Sequence, residues 1–194
     1  MGWITNIDWR KTNRKDSLVK LLEDNGNTID NYFCSYHSEL TKELLEDLKP
    51  KKYILENFQD PKENTGWIEN RHSMVKNTLN LFDSGYDYYI LTRFDASFDY
   101  DALKICKIEE GINVTSKHGL GDDKELITDY FYIIHSSAIE TFRNFINNLN
   151  PPKNTLDIAY SHKLHRYENA PRFFFMLDGS YYSHNCPLIQ IVRS

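Results

Sequence analysis

The chain has 194 residues, 40% of them hydrophobic, which is enough apolar material for the core of one domain over residues 1–194. Its formal net charge of −5 excludes the basic surface of a nucleic-acid-binding protein, although a single phosphate pocket needs only a few local cations. The three cysteines form no Cys-x-x-Cys pair, no apolar run reaches the length of a membrane span, and the N-terminus lacks a signal-peptide pattern, so we expect a soluble cytoplasmic protein.

Hydrophobic periodicity and turn residues predict strands alternating with helices, followed by hairpin-like strands late in the chain. The predicted strands cover residues 2–8, 28–36, 52–58, 88–92, 111–115, 126–134, 172–176, 181–184 and 187–192. The predicted helices cover residues 15–25, 38–48, 67–82, 136–149 and 155–168, with Ser38 as the N-cap of the second and Ser136 or Ser137 as that of the fourth. Residues 59–66 and the Gly- and Asp-rich residues 117–125 are predicted loops. This order predicts an α/β sandwich with a mixed central sheet.

The most informative segment is the predicted strand 88–92 together with the polar residues that follow it. Its apolar run has the composition of a strand buried on both faces, and it is followed by Arg93, Asp95, Asp99 and Asp101. Ligands of open α/β sheets bind at the carboxyl ends of the strands, so these side chains predict a site for a hard metal ion and a phosphate group. Asp99 and Asp101 have an alternative role at the start of a short helix, where Asp is favoured.

This order of elements resembles the GT-A glycosyltransferases, in particular the small virus- and capsule-type enzymes such as those of chlorella viruses. The resemblance is carried by residues 67–98, where a helix with a basic residue in its first turn leads into an apolar strand that ends in Arg93-Phe94-Asp95. It implies a GT-A-like three-layer α/β sandwich that binds a sugar nucleotide with a divalent metal. The second position of the family's Asp-x-Asp motif is Ser97 here, so Asp95 is the one carboxylate that matches.

The resemblance also implies roles for individual side chains. The implied ligands of Mn²⁺ or Mg²⁺ are Asp95, Ser97 and His184. The implied donor-binding residues are Thr5, Asn6, Arg14, Arg71, Arg93 and Asp95. Asp122 or Asp123 would be catalytic, either as the base of an inverting enzyme or as the group beneath the anomeric carbon in a retaining one.

Taken without the resemblance, the same residues have other interpretations. Asp95 could cap a turn, and Arg93 could orient Asp95 through a salt bridge instead of binding a ligand. Arg71, or Lys76 as a weaker candidate, could belong to a solvated helix face. Turn chemistry alone could account for Asp122 and Asp123.

The predicted function is therefore that of a hexosyltransferase in glycan biosynthesis. Its donor would be a UDP-sugar such as UDP-glucose, its acceptor a saccharide or glycoprotein, and its cofactor Mn²⁺ or Mg²⁺. One alternative is a nucleotidyltransferase, but that class is expected to carry a Gly-rich phosphate loop after its first strand, where this chain has Asp8-Trp9-Arg10-Lys11. The other alternative is a non-enzymatic carbohydrate-binding domain that uses the 13 tyrosines as stacking platforms.

Overall fold

The computed structural model describes residues 12–57, 66–120, 123–127, 131–150, 164, 167, 169–177 and 186–191. Helix α1 is a π-helical turn, Lys15–Val19, that continues as α-helix over Lys20–Asp24. The other helices are α2 (Glu39–Leu48), α3 (Gly66–Leu81), α4 (Tyr100–Lys104) and α5 (Ser136–Asn148). None of the helices in these ranges is long and apolar enough to cross a lipid bilayer.

The strands of the described residues form four groups. They are β1 (Tyr32–Tyr36), β2 (Lys52–Glu56), β3 (Tyr88–Thr92), β4 (Ala96–Phe98), β5 (Ile112–Val114), β6 (Lys117–Leu120), β7 (Asp123–Ile127), β8 (Phe131–His135), β9 (Phe173–Phe175) and β10 (Ile189–Ile191). Four of them form a sheet in the order β3-β8-β5-β9, in which β8 runs antiparallel to β3 and β5 while β9 is parallel to β5. The remaining pairs are the parallel β1-β2 and the antiparallel β4-β10 and β6-β7. The predicted α/β class with a mixed sheet is confirmed.

Strand β8 shows how the four-stranded sheet is layered. Tyr132 and Ile134 belong to an apolar cluster that contains residues of α3 and α5. Phe131 belongs to a second cluster, with residues of α1, α4, β4 and β10, and Ile133 packs against that cluster. Because successive side chains of a strand point to opposite faces, the two clusters lie on opposite sides of the sheet. Helices on both faces give the three layers of the predicted sandwich.

Helix starts agree with the sequence in α2 and differ in α5. The Ser38 hydroxyl accepts a hydrogen bond from the Thr41 backbone N–H at 3.1 Å, as expected of an N-cap. The N-cap of α5 is His135, so the prediction of Ser136 or Ser137 is wrong. The backbone of His135 is extended, and its ring Nδ1 accepts from the Ser137 N–H at 3.3 Å. The imidazole therefore accepts the capping hydrogen bond that was expected of a serine hydroxyl.

Three strand predictions are corrected. Strand β3 has its predicted bounds but is not buried on both faces, because Tyr88 is 48% exposed and, among the described strands, β3 pairs only with β8. The predicted loop 117–125 belongs to the hairpin of β6 and β7, which also takes the first two residues of the predicted strand 126–134; β6 and β7 pair with each other and with no other described strand. The short β4 has no counterpart in the prediction. The predicted strands 2–8 and 181–184, the loop 59–65 and most of the helix 155–168 lie outside the described residues.

Candidate functional site

The segment after β3 holds a carboxylate that is fully paired with a guanidinium. Arg93 Nε donates to Asp95 Oδ1 at 2.8 Å, and Arg93 Nη2 donates to Asp95 Oδ2, so both carboxylate oxygens are engaged. The Arg93 side chain is 13% exposed and the Asp95 side chain 2%. A bidentate pair shielded from water is held more firmly than a surface ion pair. The structure therefore contains the salt bridge that the sequence offered as one of two roles for Arg93.

A second cation lies over the ring of Phe94, the residue between Arg93 and Asp95. The guanidinium of Arg14 lies over the Phe94 ring, 5.4 Å from its centroid, and Phe94 also packs against Phe33 with ring centroids 4.9 Å apart. Burial lowers the pKa of Arg14 and the charge of Asp47 opposes this effect, yet a guanidinium keeps its charge at neutral pH. Arg14, Arg93 and Phe94 are among the residues that line a groove of about 860 Å³ between β1 and β3.

Asn13 fixes the segment before α1 against β4. Its side-chain amide donates to the Phe98 carbonyl oxygen and accepts from the Phe98 N–H, both at 2.8 Å. Its backbone N–H donates to the Ser97 hydroxyl at 3.4 Å. These bonds position the neighbouring Arg14. No local pattern indicates this role of Asn13, because its partners lie more than eighty residues away.

Asp99 and Asp101 have structural roles at the start of α4. Asp99 is the N-cap, and its side chain accepts from the Ala102 N–H at 2.7 Å. The Asp101 side chain is 90% exposed and pairs with Lys104 at 3.2 Å. These contacts confirm the helix-start alternative for both residues and do not link them to Asp95.

The remaining predicted site residues are placed in part or not at all. Arg71 lies on α3 and Asp123 begins β7, but only their backbones are described. The predicted site residues outside the described part are Thr5, Asn6, Asp122 and His184. Their assigned roles stay predictions.

The described residues include the oxygen ligands that a hard divalent cation prefers, but these ligands are not arranged to hold one. The Asp95 carboxylate and the Ser97 hydroxyl offer the oxygen ligands that Mg²⁺ and Mn²⁺ prefer. However, both Asp95 oxygens accept from Arg93, and the described ranges contain no group of three or more His, Cys, Asp or Glu side chains suited to a metal. A cation at Asp95 would therefore have to replace Arg93 and draw further ligands from elsewhere.

Tyrosine residues near the start of β1 and β3 form a hydrogen-bonded network. The Tyr32 hydroxyl donates to Asp83 at 3.0 Å and lies 2.8 Å from the Tyr86 hydroxyl, which donates to Asp30. Lys51 donates to both Asp30 and Tyr86 at 3.0 Å. Hydrogen bonds from Tyr86 and Lys51 lower the pKa of Asp30, while burial raises that of Tyr32. Tyr32 and Tyr86 thus connect secondary-structure elements through their hydroxyls, which is a structural role and not that of a stacking platform for a sugar.

Comparison with known proteins reveals a distant structural likeness. No protein-family model matches the chain, and no curated protein matches it. Among solved structures, the chain is similar to a glycosyltransferase involved in the glycosylation of the major capsid of PBCV-1, a chlorella virus. The identity is 13%, the match covers 76% of this chain and 81% of the other, and the TM-score is 0.45. Because the likeness is distant, the proposal below rests on the residues at the end of β3.

Proposed function

We propose that the chain is a glycosyltransferase that moves a hexose from a UDP-sugar, such as UDP-glucose, to a saccharide or glycoprotein acceptor. The observation that carries this proposal is the shielded Arg93–Asp95 pair at the end of β3, with the Arg14 guanidinium over the ring of the intervening Phe94. Arg14 and Arg93 line a groove at the end of a strand, where ligands of α/β sheets bind.

The chemistry of the donor fits these charges. When the sugar is transferred, the nucleoside diphosphate leaves and negative charge grows on its oxygens, so fixed cations lower the barrier. The planar fork of Arg93 suits a phosphate oxygen pair, and Arg14 adds a second positive charge nearby. Thr5 and Asn6 would bind the nucleoside and Arg71 would reach the donor.

The proposed cofactor is Mn²⁺ or Mg²⁺, which would have to displace Arg93 from Asp95 and would take Asp95, Ser97 and His184 as ligands. When bound, the ion would supply Lewis-acid stabilisation of the departing diphosphate. Asp122 or Asp123 would either take the proton of the acceptor hydroxyl or act beneath the anomeric carbon.

The carbohydrate-binding alternative draws less support from the described residues. A stacking platform needs exposed aromatic rings, and the large exposed aromatic side chains in the described ranges are Tyr53 and Tyr88. Tyr88 packs edge-on against His135 with ring centroids 5.2 Å apart, so its ring is already in contact.

Calorimetric titration of UDP and UDP-glucose tests the proposal, first with Mn²⁺ and then with EDTA. The wild-type protein should bind both nucleotides in Mn²⁺, and Asp95→Ala should abolish that binding. Asp101→Ala is the matched control, because Asp101 is an exposed carboxylate on the next helix. Circular dichroism must show that each variant is folded. Absence of nucleotide binding by folded wild-type protein in every condition would reject the proposal and favour the carbohydrate-binding domain.

A further inference from the structure

Strands β1 and β3 line the same groove, and each has one edge that no described strand covers. Within the described residues, β1 pairs with β2 alone and β3 with β8 alone. The groove of about 860 Å³ is lined by residues of both strands, including every residue of β3. The edge of a strand presents a row of backbone N–H and C=O groups, which need hydrogen-bond partners when they are buried. Two such edges along one groove suit an occupant that has a row of backbone groups of its own.

Helices cover this groove on both faces of the sheet. Val75 of α3 and Leu18 of α1 both line it. Val75 packs against the apolar cluster on one side of the four-stranded sheet, whereas Leu18 belongs to the cluster on the other side. The groove therefore lies in the plane of the sheet, beside β3. Its occupant needs apolar side chains on both faces, as a buried strand has.

Both strands start at the same end of the groove. The hydroxyl of Tyr32, the first residue of β1, lies 2.8 Å from the hydroxyl of Tyr86, which stands two residues before β3. The carboxyl ends of β1 and β3 therefore lie together at the opposite end. There the guanidinium of Arg14 covers the ring of Phe94, two residues after β3.

The first described residues of the chain lie next to this end of the groove. Asn13 is bonded to Phe98 in β4, and the next residue, Arg14, lines the groove. Four residues separate the predicted strand 2–8 from Asn13, and they reach at most about 14 Å when extended. A strand that ends within this reach runs towards the carboxyl ends of β1 and β3, so it is parallel to both.

The sequence of residues 2–8 suits a strand with a helix on each face. Successive side chains of a strand point to opposite faces, so Trp3 and Ile7 would share one face and Ile4 would lie on the other. Aromatic and β-branched residues such as these are the ones that strands favour. The segment also spans about 23 Å as a strand, which exceeds the length of the five-residue strands β1 and β3.

We propose that residues 2–8 occupy the groove as a strand parallel to β1 and β3. The segment supplies backbone partners to both open edges and joins the β1-β2 pair and the four-stranded sheet into one sheet. It also anchors the chain just before Arg14, so the position of this cation depends on it. The end of the groove beyond β3, where Arg14 and Arg93 lie, stays open in this arrangement. The inference uses only strand pairing, burial and chain connectivity and does not rest on the proposed function.

The first test measures hydrogen–deuterium exchange of the wild-type protein by mass spectrometry. Peptides that cover residues 2–8, β1 and β3 should all exchange at least about a hundredfold more slowly than an unstructured chain, because they open only with the sheet. Exchange of residues 2–8 at the rate of an unstructured chain would overturn the proposal. Protection of β1 and β3 that is lost on dilution, as light scattering shows a dimer dissociating, would assign the groove to a second copy and also overturn it.

The second test compares the same substitution at two isoleucines. Ile4 is proposed to be buried in the groove, whereas Ile105 is 70% exposed and serves as the matched control. Ile4→Ser should lower the urea midpoint of unfolding and speed exchange in β1 and β3, and Ile105→Ser should change neither. Equal urea midpoints for Ile4→Ser and wild type would overturn the proposal. If Ile4→Ser does not fold, the exchange measurement on wild type decides the question alone.

Discussion

Removal of either member of the Arg93–Asp95 pair should destabilise the fold markedly. The pair has two hydrogen bonds between charged groups, and both side chains are almost fully shielded from solvent. Breaking a buried pair by removing one partner typically costs about 3–5 kcal/mol, because the other charge is left buried without compensation. We therefore expect Asp95→Asn and Arg93→Met each to lower the free energy of unfolding by about 3 kcal/mol.

The double variant shows whether this cost belongs to the pair. With both charges removed, no uncompensated charge remains, so the double variant should cost less than the sum of the single ones by about 2 kcal/mol. Equilibrium unfolding in urea, followed by circular dichroism at neutral pH, supplies the three free energies.

The exposed Asp101–Lys104 pair is the control for this cycle. Its members are 90% and 49% exposed, and its separation of 3.2 Å is ordinary for a surface ion pair. Asp101→Asn and Lys104→Met should therefore have additive effects within error. Single-variant costs below about 1 kcal/mol at Arg93 and Asp95, with an additive double variant, would refute the assignment of a shielded pair.

Three further changes test the packing and electrostatics of the fold. Ser38→Ala removes the N-cap of α2 and should lower the free energy of unfolding in urea by about 1 kcal/mol; an unchanged urea midpoint would contradict the cap. Burial raises the pKa of the Cys34 and Cys106 thiols from the ordinary 9.0 to about 11, so the unfolded chain deprotonates first, and the contribution of these thiols to stability should be constant below pH 9.0 and fall between pH 9.0 and about 11. The rate of iodoacetamide labelling of the native thiols should rise with pH to a midpoint near pH 11, and a midpoint near pH 9.0 would argue against burial. A side chain at Gly111 would collide with the Phe174 ring, so Gly111→Ala should cost about 1–3 kcal/mol in the same urea assay, whereas an unaffected stability would mean that the ring yields freely.

Local sequence signals are sufficient to predict the elements whose two ends are marked by residues of the element or its immediate neighbours. Helix α2 begins at a Ser38 cap and ends just before Pro50, and both features are legible without the fold. Strand β3 has its predicted bounds because its apolar run is sharply limited by Asp87 and Arg93.

Features that the sequence does not predict depend on partners far away in the chain. Strand β4 has three residues and is a strand only because it pairs with β10, more than ninety residues later. The cap of α5 shows a different limit, since the preference for Ser over His is overridden by the extended backbone that β8 imposes at His135.

In the candidate site, too, local features can be predicted from the sequence and long-range contacts cannot. The place of Arg93 and Asp95 after a strand identifies both as candidates, and their mutual bonding is one of the two roles that the sequence allows for Arg93. The position of Arg14 over Phe94 could not be predicted, because it depends on Asn13 reaching across to Phe98. Sequence proximity was informative here, whereas the geometry of contacts between distant segments was not.

Release of UDP from UDP-sugars is the most direct measure of glycosyl transfer by this protein. Folded protein is incubated with UDP-glucose and related UDP-sugars in Mn²⁺ or in EDTA, with and without saccharide acceptors, and UDP is quantified. We expect UDP release in Mn²⁺ with at least one donor, its loss in EDTA and in Asp95→Ala, and its retention in Asp101→Ala. Release that is equal in wild type and a folded Asp95→Ala variant, or no release with any donor and acceptor, would contradict this expectation.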